Sequence, residues 1–178
     1  MVILISGASH TGKTVLAQRL LEKLHYPYLS IDHLKMGLIR SGNTNLTPCD
    51  DALLTEYLWP ILRDIIKTAI ENHQNLIVEG CYIPFNWSDS FTKFYRDEIK
   101  AFWLIMSEEY IEKHFEEICI LENAIEQRLS GDSLSKEWLI EENMLNLKQC
   151  KRNGCSYILI NDTYNVLDPA LELLQLNG

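Results

Sequence analysis

An α/β fold, with a parallel sheet covered by helices on both faces, follows from three features of this 178-residue sequence. Short apolar runs of strand length alternate with stretches of helical period from one end of the chain to the other, the order that builds parallel sheets through crossover helices. A Gly-rich loop joins the first of these runs to the first helix. Apolar residues make up 47 % of the chain, enough at this length for one domain with a full core.

The elements follow in order. Val2 to Ser6 is the first strand, and a helix starts near Lys13 with Leu16, Leu20 and Leu24 on one face beside Ala17 and Leu21. Pro27 to Ile31 is a short strand, Asp32 to Arg40 a short helix and Ser41 to Asn45 a loop. Thr47-Pro48-Cys49-Asp50 predicts a helix start, with Thr47 as cap, Pro48 in the first position and an acid three residues on. That helix carries Leu54, Leu58, Leu62, Ile65 and Ala69 inward, and Pro60 predicts a kink or a split in it. Asn75 to Glu79 is a buried strand, Ser88 to Asp97 a helix and Ile99 to Met106 another strand. Ser107-Glu108-Glu109 reads as the cap and acidic first turn of the next helix, which carries Phe115, Ile118, Ile125 and Leu129. Ser130-Gly131-Asp132-Ser133 breaks that helix, and a further helix runs from about Ser133 to Lys151. Tyr157 to Asn161 is the last strand and Asp168 to Leu176 the closing helix.

Gly7-Ala8-Ser9-His10-Thr11-Gly12-Lys13-Thr14 fits the pattern G-x-x-x-x-G-K-[ST], and it lies between a strand and a helix, the context the motif requires. Gly7 and Gly12 admit backbone angles closed to other residues, so the loop can wrap with its N–H groups turned inward. Those donors and the positive end of the following helix make an anion site. The loop, Ser9, His10 and Thr11 included, is therefore the expected seat of a nucleoside triphosphate. Lys13 supplies a mobile positive charge for the β- and γ-phosphates, and Thr14 the hydroxyl that ligates Mg²⁺. His10 reads as a donor to a loop carbonyl or to solvent rather than as a catalytic group.

Two acids stand at strand ends, where an open parallel sheet faces its ligand. Asp32 follows the second strand in Ser30-Ile31-Asp32, and a carboxylate there can accept or orient the proton of an acceptor hydroxyl; it can also cap the next helix. Glu79 closes Leu76-Ile77-Val78, the strand whose terminal acid faces Mg²⁺. The usual acid at that place is Asp, so Glu79 reaches the metal through water or binds substrate instead. Phosphoryl transfer gathers negative charge that arginines clamp. Arg40 ends the short helix that begins at Asp32, and Arg128 precedes the Gly131 break in a region suited to a mobile lid. Tyr82 opens an aromatic segment, Tyr82 to Trp87, that either walls a substrate pocket or joins the core.

Formal net charge is −9, which argues against a nucleic-acid or anionic-membrane surface. No run approaches about 18 consecutive apolar residues, so no membrane span is expected. No signal-peptide pattern precedes the first strand, and a cytoplasmic location, where ATP is available, is the default expectation. The cysteines, Cys49, Cys81, Cys119, Cys150 and Cys155, contain no C-x-x-C pair and read as free thiols. A single domain over 1–178 is expected, with an acceptor-binding insert at 32–72 and a lid at about 115–135.

The phosphate loop, Asp32 after the second strand, the strand end Leu76-Ile77-Val78-Glu79-Gly80 and Arg128 together resemble the nucleoside-monophosphate-kinase-like P-loop kinases over nearly the whole chain. Ser30-Ile31-Asp32 with Arg40, and Glu79-Gly80 followed by Pro84, resemble the branch of 2-phosphoglycerate kinases and zeta toxins. The resemblance implies a three-layer P-loop NTPase fold with a five-stranded parallel sheet and a small helical lid, Mg-ATP as donor and a small hydroxyl or phosphate acceptor. In those terms Lys13, Asp32 and Arg128 are the catalytic set, Asp32, Arg40, Glu79 and Tyr82 bind the acceptor, and Thr14 and Glu79 hold the metal. The 107–156 region holds only Arg128 and Arg152, fewer lid arginines than adenylate kinases carry, and no N-K-x-D guanine motif is present. A nucleotide-binding switch with no small acceptor is the alternative reading. The acceptor and the oligomeric state are not legible in the sequence.

Overall fold

The computed structural model describes residues 1–121 and 134–175. The elements are β1 (Val2–Gly7), α1 (Lys13–Leu24), β2 (Tyr28–Ser30), α2 (Ile31–Arg40), α3 (Asp51–Glu71), β3 (Leu76–Glu79), a 3₁₀ turn (Trp87–Ser90), α4 (Lys93–Arg96), β4 (Ile99–Met106), α5 (Glu108–Leu121), α6 (Lys136–Asn153), β5 (Ser156–Ile160) and α7 (Leu167–Leu174). All strand pairs are parallel, in the order β2-β3-β1-β4-β5.

The central strand explains the three layers. All six residues of β1 are buried, as expected of a parallel strand covered on both faces. Its side chains alternate between two cores. Ile3 and Ile5 join Leu16 and Leu20 of α1, Ile111 of α5 and Ala170 and Leu174 of α7. Val2 and Leu4 join Leu54, Leu58, Leu62 and Ile66 of α3, with Trp103 and Ile105 of β4. The aromatic segment belongs to this second core: Phe85 stacks on Trp103 at 5.4 Å and Trp87 meets Phe91 edge-on at 6.1 Å. Tyr82 is also buried in this core, and its hydroxyl reaches out to the site described below.

Several boundaries depart from the sequence expectation. α3 begins at Asp51, not at Thr47. The Thr47 N–H and hydroxyl both donate to Asp50 Oδ2 at 2.7 Å, which closes a turn ahead of the helix. α3 runs unbroken through Pro60. That residue is exposed, so the carbonyl deprived of its intrahelical donor can turn to water. Ile66 rather than Ile65 faces the core, since the stripe drifts to a neighbouring position over a long helix. Ser88 to Asp97 is not one helix but the 3₁₀ turn and short α4. Ser107 does cap α5, accepting the Tyr110 N–H at 3.1 Å. Ser135 caps α6 through the Trp138 N–H at 3.3 Å. Ile125, Arg128, Leu129, the 130–133 break and most of the 115–135 lid span lie outside the described residues.

Gly7 ends β1 with φ +139°, and a Cβ there would sit 2.2 Å from the Leu104 carbonyl oxygen of β4. Gly7→Ala is therefore expected to lower unfolding free energy by roughly 3 kcal/mol, from strain and overpacking together. A urea melt of the variant beside the wild type measures it.

Candidate functional site

The parallel register brings three chain segments to one edge. Ile5, Glu79 and Ser30 are register partners across β1, β3 and β2, so the loop after β1, the end of β3 and the start of α2 meet at the carboxyl ends of the strands. This is the crevice an open α/β sheet offers to ligands.

The loop is wound tightly. Gly12 has φ +78°, and His10 takes φ +62°, a value uncommon outside glycine. The Thr11 hydroxyl donates to the Ala8 carbonyl at 2.9 Å. Lys13 is buried and donates to the Ala8 and Gly7 carbonyls at 2.7 and 3.3 Å. Burial works against its charge. The neighbouring Cys81, Glu79 and Glu142 outweigh that and hold the ammonium above the ordinary lysine value. Thr14 donates to Glu79 Oε2 at 3.3 Å, and Glu79 is itself buried.

Asp32 lies in the first turn of α2. Lys35, one turn on, bonds Asp32 Oδ1 and donates to the Tyr82 hydroxyl at 3.0 Å. Tyr82 in turn donates to Asp51 Oδ1 at 2.8 Å. Burial and the Asp51 bond raise the phenol well above its usual range, so it stays a hydrogen-bond donor. Two carboxylates, one ammonium and one phenol thus form a continuous polar chain from α2 to α3. Cys81 lies between this chain and the loop, within electrostatic reach of Lys13, Asp32 and Glu142; burial pushes its thiol up.

The structure brings together Gly7 to Thr14, Asp32, Glu79 and Tyr82. It leaves Arg40 exposed at the last residue of α2, two turns and about 12 Å along the axis from Asp32. Arg128 lies outside the described residues. Lys35, Asp51, Glu142 and Tyr164 escaped the sequence reading. The Tyr164 hydroxyl donates to the Thr11 and Gly12 carbonyls at 3.1 and 3.2 Å, pinning the loop. Burial pushes that phenol up to about 12.

The donor set suits a phosphate with a hard cation. The loop offers backbone N–H groups at a helix start. Thr14 and Glu79 place two oxygen donors side by side. No cluster of three or more His, Cys, Asp or Glu among the described residues could cage a metal. Mg²⁺ is commonly held by only one or two protein oxygens, with water and phosphate completing its shell, so the pair fits that ion.

No family model matches the sequence, and no curated protein matches it. Solved structures of similar fold include a gluconokinase from Sinorhizobium meliloti 1021, 14 % identical with a TM-score of 0.53, covering 98 % of this chain and 92 % of that one. A sugar kinase from Janibacter sp. HTCC2649 is 15 % identical with a TM-score of 0.57, over 99 % and 95 % of the two chains. Shikimate kinase from Bacteroides thetaiotaomicron is 14 % identical with a TM-score of 0.53, over 98 % of each. The chain thus has the fold of P-loop kinases, a five-stranded parallel sheet between helical layers. No helix among the described residues is long and apolar enough to cross a membrane.

Proposed function

We propose that this chain is an ATP-dependent small-molecule kinase, passing the γ-phosphoryl of Mg-ATP to a hydroxyl or phosphate acceptor. The observation that carries the reading is the meeting of three groups at one sheet edge: the buried Lys13 in its loop, the Thr14–Glu79 pair and Asp32 at the adjacent strand end. The kinases among the solved structures that share the fold add to it.

In this reading the N–H groups of the Gly7–Thr14 loop hold the β- and γ-phosphates. Lys13 exchanges its carbonyl partners for phosphate oxygens. Thr14, with Glu79 directly or through water, would hold Mg²⁺, which neutralises charge on the β- and γ-oxygens. Asp32 takes the proton of the acceptor hydroxyl through the carboxylate oxygen that Lys35 does not hold. The hydroxyl oxygen bonds to the γ-phosphorus, the bond from that phosphorus to the β–γ bridging oxygen breaks, and ADP leaves. Lys35 and Tyr82 fix the rotamer of Asp32. The 32–72 insert, which includes α2 and α3, shapes the acceptor pocket; Arg40, at the far end of α2, meets only the part of an acceptor distant from Asp32, and Arg128 is the proposed lid arginine. Within the group, Ser30-Ile31-Asp32 and Glu79-Gly80 favour the branch of 2-phosphoglycerate kinases and zeta toxins.

The test is a mass-shift screen. Mg-ATP and the protein are incubated with pools of sugar acids, nucleosides, nucleotides, amino alcohols and cofactor precursors. A product heavier by one phosphoryl group, formed by wild type alone, supports the reading and names the acceptor class. A cytoplasmic setting suits such an enzyme.

A further inference from the structure

The loop that reads as the phosphate site already carries an anion of the protein's own. The Ser9 N–H, in the middle of the loop, donates to both carboxylate oxygens of Glu142, at 3.1 and 3.2 Å. Glu142 lies on α6, 133 residues away in sequence. Its charge also reaches Lys13 and Cys81. The carboxylate is held there by a rigid mount. The next residue, Asn143, is fully buried; its Oδ1 accepts the Met106 N–H at the end of β4 at 2.8 Å, and its Nδ2 donates to the Leu139 carbonyl at 2.8 Å. Leu139 is fully buried as well.

We infer that Glu142 sets nucleotide affinity by acting as an internal stand-in for phosphate, which incoming nucleotide phosphates displace from the loop. The inference rests on the proposed reading of the loop as the nucleotide site. A carboxylate accepting from a loop N–H is a charge-assisted bond of the kind a phosphate oxygen makes. Both anions cannot hold the Ser9 N–H together, since their like charges would sit at contact distance in a partly buried place. Binding therefore first requires the state in which Glu142 has left Ser9, and apparent affinity falls by the fraction of molecules in that state. Lys13 makes a matching exchange, from the Gly7 and Ala8 carbonyls, so one basic and one acidic side chain hold the loop.

Calorimetric titration with ADP in the presence of EDTA tests this without a metal contribution. Wild type, Glu142→Gln and Glu142→Ala are compared, with adenosine as the ligand that lacks phosphate. Both variants are expected to bind ADP on the order of ten-fold more tightly, while adenosine binds all three alike. A damaged fold weakens binding, so it cannot imitate this gain; thermal melts identify such damage, and the near-isosteric Gln variant guards against it. ADP affinity that is unchanged or weaker in a folded Gln variant overturns the inference. Failure of wild type itself to bind ADP overturns the nucleotide reading, and the inference falls with it.

Discussion

Lys13→Ala is expected to abolish ATP turnover, by on the order of 10³-fold or more. Two losses coincide. The ammonium is the mobile cation of the loop, so removing it strips the transferring phosphoryl group of a donor in a site where water is scarce. It is also the positive charge facing Cys81, Glu79 and Glu142, so its loss leaves two acids against the incoming phosphates with no cation between them. Nucleotide affinity should fall together with turnover. Steady-state ADP release and ADP titration, read beside a thermal melt, separate this from simple unfolding, because Lys13 also ties down the Gly7 and Ala8 carbonyls. A folded variant that keeps wild-type turnover contradicts the role.

Asp32→Asn should split the two half-functions. The amide keeps the size and much of the hydrogen bonding of the carboxylate but cannot take a proton. Phosphoryl transfer should drop by about 10³-fold, within the range seen when a general base is removed, while ATP binding stays near wild type. Lys35 limits collateral damage, since its second partner, the Tyr82 hydroxyl, remains. Stopped-point transfer assays and nucleotide titration on one preparation measure both halves. Equal loss of ATP binding and transfer would mean that Asp32 serves the loop or the start of α2, not the acceptor.

The legible parts of this chain were those whose signal is local. The loop announces itself because only glycines at two fixed positions, with Lys13 and Thr14 after the second, allow that winding. Glu79 and Asp32 could be placed at the sheet edge because a strand end is visible in sequence and its place in a parallel sheet follows from topology. The missed residues act across distance or against expectation. Lys35 and Asp32 are an i, i+3 charge pair that looks like ordinary solvated surface, and only folding sets the Tyr82 hydroxyl beside it. Glu142 and Tyr164 reach the loop from 133 and 153 residues away, and no spacing rule connects such positions. The misplaced start of α3 has a different cause. Thr47, Pro48 and Asp50 satisfy the composition of a cap, but here Asp50 accepts from Thr47 and closes a turn, so the same residues delay the helix.

Acceptor-dependent ADP release distinguishes a kinase from a nucleotide-operated switch. Wild type and Lys13→Ala are assayed with Mg-ATP alone and with each class of hydroxyl and phosphate acceptor. A kinase predicts one class that raises wild-type release well above the acceptor-free rate and leaves the variant silent. Wild type that binds ATP yet releases ADP at the same rate with every acceptor would contradict the kinase reading and favour a nucleotide-operated switch.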